Sequence, residues 1–160
     1  GAVSAARQLT DSHTLAAALA DTAQALCRPA KLHFVLQEQW QGQFLCAAPE
    51  LSRALENMLD NAVRYTPAGG TVTLTISKAD GDVAFTVADT GPGFTPEALH
   101  KAGQFLYTDA ARPGNGHQGL GLYLARSVAR AHGGNLIVSN DPAAHGARTE
   151  LRLPICTNAL

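Results

Sequence analysis

The chain has 160 residues, of which 46% are apolar and 6% aromatic, and its formal net charge is −1. This length and apolar content suit one domain of ordinary size, with a core of aliphatic side chains and alanine. A near-neutral chain lacks the basic face that nucleic-acid binding requires, and no apolar run reaches the roughly eighteen residues of a membrane span. We therefore expect no nucleic-acid partner and no direct membrane contact.

The three cysteines and six histidines do not form a metal-binding pattern. Cys27, Cys46 and Cys156 are widely spaced without a CxxC pair, and no two histidines have HxxxH or HExxH spacing. Zinc sites usually need such pairs. We therefore expect reduced, structural thiols, as in a cytosolic protein.

The N-terminal part of the chain predicts a polar segment followed by a helix. Residues 1–13 have no clear period, and Asp11 or Ser12 is placed to cap a helix over 14–27. An Arg-Pro pair ends this helix, because the residue before proline disfavours the helical conformation. Two strands are expected next, over 32–36 and 43–46.

A longer helix is expected to begin at Pro49-Glu50, because proline and acidic residues favour the first helical turn. Its apolar stripe consists of Leu51, Ala54, Leu55, Met58, Leu59, Ala62 and Val63. The later elements are strands over 71–77 and 83–87, a short helix over 96–102, a helix over 120–132, and strands over 136–138 and 148–153. An Asp-Gly turn joins the first two of these strands. The order indicates an α+β fold with a mostly antiparallel sheet under helices.

Four polar residues of the long helix share one face. Asn57, Asn61, Arg64 and Tyr65 lie at i, i+4, i+7 and i+8. Amide oxygens suit a hard cation such as Mg²⁺, a guanidinium suits phosphate, and a tyrosine ring can cover a base. The alternative is an ordinary solvated helix face.

Two glycine-containing segments follow. In the first, Asp89 ends a strand and precedes Gly91 and Gly93, so a carboxylate could accept from an exocyclic amine while the backbone approaches a planar ligand. A plain turn has the same composition. The second, at 114–122, opens a helix whose first N–H groups can hold phosphate. It contains GxGxxG, but this match follows a loop, whereas the dinucleotide-binding GxGxxG follows a strand. It is not a phosphate-binding Walker A motif either, because Leu120 stands where that motif requires lysine.

In this order, the segments resemble the N, G1 and G2 boxes of the ATP-binding catalytic domain of bacterial sensor histidine kinases, with the intervening loop as the ATP lid. That family belongs to a group that includes gyrase, Hsp90 and MutL. The resemblance covers residues 14–155. It implies a Bergerat two-layer α/β sandwich, in which a mixed, mostly antiparallel sheet is covered on one face by helices, with a flexible lid. Residues 1–13 are then a linker or the tail of a preceding helix, and 156–160 a C-terminal tail.

The resemblance implies ATP and Mg²⁺ as ligands and gives each matching helix residue a role. Asn61 resembles the Mg²⁺ ligand, Asn57 its neighbour facing the phosphates, and Arg64 a phosphate contact. Tyr65 resembles a ring stacked on adenine. Asp89 resembles the carboxylate that binds the adenine amine. Further nucleotide contacts are implied at Gly91, Gly93, Phe94, Arg112, Gly119, Leu120, Gly121 and Leu122.

Two absences bear on the mechanism that the resemblance implies. Hydrolases of the group carry glutamate where this chain has Asn57, and Glu56 lies about 100° around the helix. We therefore favour phosphoryl transfer, with Glu56 as a base in the minority alternative. The sequence around His13 lacks the acid and the Arg-Thr-Pro of a phosphoacceptor box.

The phosphorylated histidine is therefore expected on a separate dimerisation and phosphoacceptor domain, with a response regulator downstream. By resemblance, this segment is a monomeric cytoplasmic domain of an inner-membrane protein. The alternatives are an ATPase or a serine kinase of the anti-sigma-factor type, and a degenerate nucleotide sensor. The sensor is favoured by His117, which replaces a usual glycine of the G2 box.

Overall fold

The computed structural model describes residues 6–101, 118–143 and 145–157, with the backbone alone at 101 and 118–121. Within these ranges, no helix is both long and apolar enough to cross a bilayer. In chain order, the elements are β1 (Gln8–Asp11), α1 (Ser12–Cys27), β2 (His33–Glu38), β3 (Gln43–Cys46), α2 (Ala48–Tyr65), β4 (Thr71–Ala79), β5 (Asp82–Asp89), α3 (Pro96–Lys101), α4 (Gln118–Ala131), β6 (Asn135–Asn140) and β7 (Ala147–Pro154).

Five strands form one mixed sheet in the order β2-β4-β5-β7-β6. The β2 and β4 strands are parallel, and each other neighbouring pair is antiparallel. Helices α1, α2 and α4 pack against this sheet and enclose the core with it. The predicted α+β fold, with a mostly antiparallel sheet covered by helices, is confirmed.

Strand β4 shows why one face of the sheet is buried. Val72, Leu74 and Ile76 are fully buried, whereas the threonines between them are partly exposed. Successive side chains of a strand point to opposite faces, so the apolar set packs on the helices. The turn to β5 has positive φ at both Asp80 (53°) and Gly81 (86°), as a type I′ hairpin requires.

A short strand that the sequence did not predict lies before α1. Strand β1 pairs antiparallel with β3, from Gln8 opposite Cys46 to Asp11 opposite Gln43. Asp11 also caps α1, because its carboxylate accepts a hydrogen bond from the backbone N–H of Thr14 at 2.9 Å. The segment predicted as a polar linker therefore contains a strand and the cap of the first helix.

A buried histidine joins one end of α2 to one end of α4. His132 is 6% exposed, and its Nε2 accepts a hydrogen bond from the backbone N–H of Ala47 at 3.0 Å. Its Nδ1 lies 2.8 Å from the carbonyl oxygen of Val128. This arrangement requires a neutral ring with the proton on Nδ1. Burial is the main cause that lowers the pKa of His132 below its usual 6.5, and the charge of Arg7 lowers it further.

We expect the free energy of unfolding to fall as the pH drops below about 6.5, because the unfolded chain binds a proton on His132 before the folded chain does. The stabilisation is fully present above the unfolded pKa and is lost on acidification. His132→Gln, whose amide oxygen can accept from Ala47 without titrating, should show a smaller decline in urea unfolding.

The exposed residue His33 supplies the control for this experiment. His33→Gln should keep the wild-type decline. A hydrogen bond to Glu38 raises the pKa of His13, which gives the opposite pH dependence, but His13 is present in all three proteins and cancels in the comparison. Equal declines in all three proteins would contradict the role of His132.

Candidate functional site

The asparagine-bearing face of α2 lies partly inside the domain. Asn61 is 6% exposed, and its Oδ1 is buried without a hydrogen-bond partner in the part of the chain that the structure describes. Asn57, one turn earlier, is half-buried, whereas Glu56 is exposed. Leaving a buried acceptor unpaired costs about 1–3 kcal/mol, so such an atom marks a candidate ligand position.

The last turn of α2 carries the two other predicted residues of this face. Arg64 is exposed and pairs with Asp60 at 3.2 Å. Surface pairs one turn apart contribute only about 0.3–0.5 kcal/mol, so Asp60 can release the guanidinium to a stronger anionic ligand. Tyr65 is only 2% exposed, so its ring presents no open face in this structure. Stacking of adenine on Tyr65 therefore stays a prediction, and it requires the ring to become uncovered.

The carboxyl group of Asp89, at the end of β5, is oriented by backbone donors. Asp89 is 6% exposed, and its Oδ1 accepts hydrogen bonds from the N–H of Gly91 at 2.9 Å and of Ala147 at 3.2 Å. One donor belongs to the following loop and the other to β7. The carboxyl group is thus held in one orientation at the edge of the sheet.

Two glycines after Asp89 are required by close approaches of the backbone. A Cβ on Gly91 would lie 2.7 Å from the carbonyl oxygen of Tyr65, the last residue of α2. At Gly93, φ is +79°, and a Cβ would lie 2.3 Å from the carbonyl oxygen of His145. The approach of Gly91 to Tyr65 brings the asparagine-bearing helix and Asp89 together at one edge of the sheet.

The first turn of α4 lies beside the C-terminal end of α2, the end that carries Asn61. The two helices pack on each other, and the hydrogen bond between Ala47 and His132 joins the start of α2 to the end of α4. Both rise about 1.5 Å per residue, and Gln118 precedes His132 by as many residues as Asn61 follows Ala47. The antiparallel helices therefore bring the start of α4 level with Asn61. A separate groove between the two helices lies nearer the start of α2 and does not include Asn57 or Asn61; it is lined by Glu50, Arg53, Ala54, Tyr123, Leu124, Ser127 and Val128.

The start of α4 carries the predicted phosphate-binding glycines. Its first residues are Gln118, Gly119, Leu120 and Gly121. The first four N–H groups of an α-helix have no partner within the helix, and they attract anions. Leu122 is buried in the core. Arg112 and the predicted ATP lid around it lie outside the described residues.

One residue beside the site was not predicted from the sequence. Asn140, the last residue of β6, forms two hydrogen bonds with the backbone of Phe94, which is buried. Both β5 and β6 are antiparallel to β7, so they are parallel to each other and end at the same edge of the sheet. Knowledge of this strand order would have placed Asn140 beside Asp89, because both residues end parallel strands. Gly146 completes this edge, since a Cβ there would lie 1.7 Å from the carbonyl oxygen of Asp89.

Comparison with known proteins points to one family. Residues 46–157 match the family described as histidine kinase-, DNA gyrase B-, and HSP90-like ATPase. The sensor histidine kinase SpaK of Bacillus subtilis is 41% identical over 107 residues, which are 66% of this chain and 23% of SpaK. The sensor protein QseC of Escherichia coli K12 is 43% identical over 90 residues, which are 56% of this chain and 19% of QseC. The chain thus spans less than a quarter of the length of either relative.

Solved structures agree with this match. A mycobacterial sensor histidine kinase, MprB, superposes with a TM-score of 0.79 at 25% identity, covering 94% of this chain and 100% of that one. The full-length ShkA structure, in complex with AMPPNP, gives a TM-score of 0.85 at 27% identity, covering 100% of this chain and 33% of ShkA. These likenesses extend over nearly the whole chain and confirm the predicted fold class.

Proposed function

Because the chain belongs to the histidine kinase-, DNA gyrase B-, and HSP90-like ATPase family, we propose that it binds ATP and donates the γ-phosphate to a histidine on a separate helical domain. The names of SpaK and MprB, both sensor histidine kinases, support this activity. The observation that carries the proposal is the convergence of three features at one end of α2. They are the unpaired oxygen of Asn61, the oriented carboxyl group of Asp89 and the first turn of α4.

The base is proposed to bind at Asp89. The Oδ1 atom of Asp89 accepts hydrogen bonds from two backbone N–H groups that hold the carboxylate in place, and we assign this carboxylate to the exocyclic amine of adenine. Gly91 and Gly93 have no side chains, so the backbone after Asp89 can approach the flat face of the base. Tyr65 would border the base after a rearrangement that uncovers its ring.

The residues around Asn61 fit a Mg²⁺ ion bound together with ATP. Mg²⁺ prefers oxygen ligands, keeps several waters, and is commonly held by one or two protein groups plus substrate phosphates. The unpaired Oδ1 of Asn61 is such an oxygen. In the described ranges, no three His, Cys, Asp or Glu side chains are placed to hold a metal ion, so a carboxylate-rich site is not a competing candidate there. When bound, the ion would offset the charge on the phosphates.

The phosphates are proposed to lie between α2 and the start of α4. Asn57 faces them from the helix turn before Asn61, and Arg64 can exchange Asp60 for a phosphate oxygen. The N–H groups at the start of α4, including those of Gly119 and Gly121, supply further donors. Phosphoryl transfer needs positioning and charge neutralisation more than covalent chemistry, and this set supplies both.

The residue at position 57 favours phosphoryl transfer to a protein histidine over hydrolysis of ATP. Asn57 replaces the glutamate that activates water in hydrolases of the group, and an amide is not a base. The second candidate is an ATPase or a serine kinase, and Glu56 is the observation that favours it, since this carboxylate is next to Asn57. Glu56, however, is exposed and points about 100° away from Asn57 around the helix.

The decisive experiment mixes the chain with ATP, Mg²⁺ and a phosphoacceptor helical hairpin from a sensor histidine kinase. Acid-labile, base-stable phosphate on the hairpin would support the kinase. Steady phosphate release without the hairpin would instead support the ATPase. Nucleotide binding without either reaction, across a panel of hairpins, would favour the degenerate sensor.

The setting of this activity is part of the same proposal. We place the ATP-binding unit at residues 14–155, on the cytoplasmic side of a longer membrane-bound sensor that signals to a response regulator. The word sensor in the names of SpaK and QseC supports this setting. Strand β1 attaches residues 8–11 to the unit, so a preceding phosphoacceptor domain would be tethered close to it.

A further inference from the structure

We propose that Asn140 is a positioning residue for the nucleotide-binding loop, an inference that rests on the proposed function. The N–H of Phe94 donates to Oδ1 of Asn140 at 2.8 Å, and Nδ2 of Asn140 donates to the carbonyl oxygen of Phe94 at 2.8 Å. One side-chain amide thus satisfies both backbone groups of a single residue. This is the exchange that a residue of a neighbouring strand makes in an antiparallel pair.

The two hydrogen bonds hold the far end of the loop that begins at Asp89. At its near end, the N–H of Thr90 donates to the carbonyl oxygen of Thr71 at 3.1 Å, and the N–H of Gly91 donates to Asp89. Between these ends, Gly93 has φ +79°, and its Cβ position lies 3.0 Å from Oδ1 of Asn140. Glycine costs little to rotate, so a loop with two glycines needs such external contacts to keep one conformation.

Asn140 precedes a connection to β7 whose described residues form two backbone hydrogen bonds. The N–H of Asp141 donates to the carbonyl oxygen of Gly146 at 2.8 Å, and the N–H of His145 donates to the carbonyl oxygen of Asp141 at 2.8 Å. The next residue, Ala147, donates to the carboxyl group of Asp89. The two residues that flank the β6–β7 connection therefore contact both ends of the loop, Asn140 at Phe94 and Ala147 at Asp89.

This geometry assigns Asn140 to the base side of the site. The loop after Asp89 is the part that the proposed function places against adenine, whereas Asn61 and the start of α4 face the phosphates. Loss of the amide should therefore weaken binding of the adenosine part of any nucleotide. The affinities for ATP and for ADP should fall by the same factor, with or without Mg²⁺. In the kinase reaction, KM for ATP should rise and kcat should stay unchanged.

The first test is Asn140→Ala, with binding of ADP and of a non-hydrolysable ATP analogue measured by calorimetry. We expect roughly tenfold weaker binding of both, since two hydrogen bonds are removed. Asn135→Ala is the matched control, because Asn135 is exposed at the other end of β6 and its Oδ1 bonds only to the adjacent N–H of Leu136 in the described structure. That variant should bind like the wild type.

The second test, Asn140→Asp, uses pH and does not depend on the alanine variant being folded. An ionised carboxylate can accept from the N–H of Phe94 but repels its carbonyl oxygen, whereas a protonated carboxyl group restores both bonds. Relative to wild type, nucleotide affinity of this variant should recover as the pH is lowered. If Asn140 served folding alone, the Asn140→Asp change would alter stability, and nucleotide affinity would not recover at low pH.

The outcomes separate the two proposals. If the wild type binds nucleotide and both Asn140 variants bind it as tightly as the wild type at every pH, the positioning role is overturned while the proposed function stands. A loss confined to Mg²⁺-bound ATP would also overturn it, because the defect would then lie at the phosphates. If the wild type binds no nucleotide, the proposed function fails and takes this inference with it.

Discussion

Asp89→Asn is expected to weaken ATP binding roughly a hundredfold or more while leaving the domain folded. The amide oxygen of the variant can still accept from Gly91 and Ala147, so the two structural hydrogen bonds persist. The side-chain nitrogen then faces the adenine amine, and two donors confront each other where an acceptor met a donor. Calorimetry with a non-hydrolysable ATP analogue measures the loss, and circular dichroism checks the fold.

The base preference supplies a sharper readout of the same variant. Guanine presents an acceptor where adenine presents its amine, so the new donor should favour guanine. The ratio of ATP to GTP affinity should therefore fall in Asp89→Asn. Asp82→Asn is the matched control, because Asp82 begins the same strand, about 23 Å away along β5. Unchanged ATP affinity and base preference in Asp89→Asn would contradict the assigned role of Asp89.

The elements with strong local patterns could be predicted from the sequence. Helix α2 has an apolar stripe at helical spacing that ends where Tyr65 meets the loop, and β4 alternates apolar residues with threonine. The Asp80-Gly81 pair specifies a hairpin turn through its positive φ angles. In each case the signal lies within a few residues, and packing against the sheet agrees with it.

Elements that depend on distant partners could not be predicted in the same way. Strand β1 has four residues and is defined by its pairing with β3, more than thirty positions later in the printed sequence. The parallel pairing of β2 with β4 likewise requires knowing that α2 crosses between them. Neither feature leaves a period in the sequence, because the partner strand supplies the hydrogen bonds.

The candidate site shows the same division. Residue types and order predicted ligand-binding roles for Asn61 and Asp89, and the structure adds the oxygen of Asn61 that is unpaired among the described residues and the backbone donors to Asp89. The burial of Tyr65 and the side-chain contact of Asn140 with Phe94 are tertiary, so no motif contains them. The functional roles of all these residues stay predictions until the variants are measured.

Asn61→Ala is expected to lower Mg²⁺-dependent affinity for ATP roughly a hundredfold and, at the same time, to raise the free energy of unfolding. The ligand loss follows if the amide oxygen holds the ion. The gain in stability follows because Oδ1 of Asn61 is buried without a partner in the described part of the chain, and removing it ends that penalty. Alanine is also a better helix former than asparagine, so together we expect a gain of about 1 kcal/mol.

The expected loss of affinity together with a gain in stability distinguishes a ligand-binding role of Asn61 from a purely structural one. A residue kept only for structure would lower stability when it is removed, and it would lower affinity only through unfolding. Binding should be measured with and without Mg²⁺, since the variant should differ from wild type mainly when the ion is present. Asn135→Ala again serves as the control, with neither effect expected at this exposed position. Retained Mg²⁺-dependent affinity in a fully folded Asn61→Ala protein would mean that the metal ligand lies elsewhere. The unpaired oxygen on α2 would then be a local defect of packing, with no part in binding ATP.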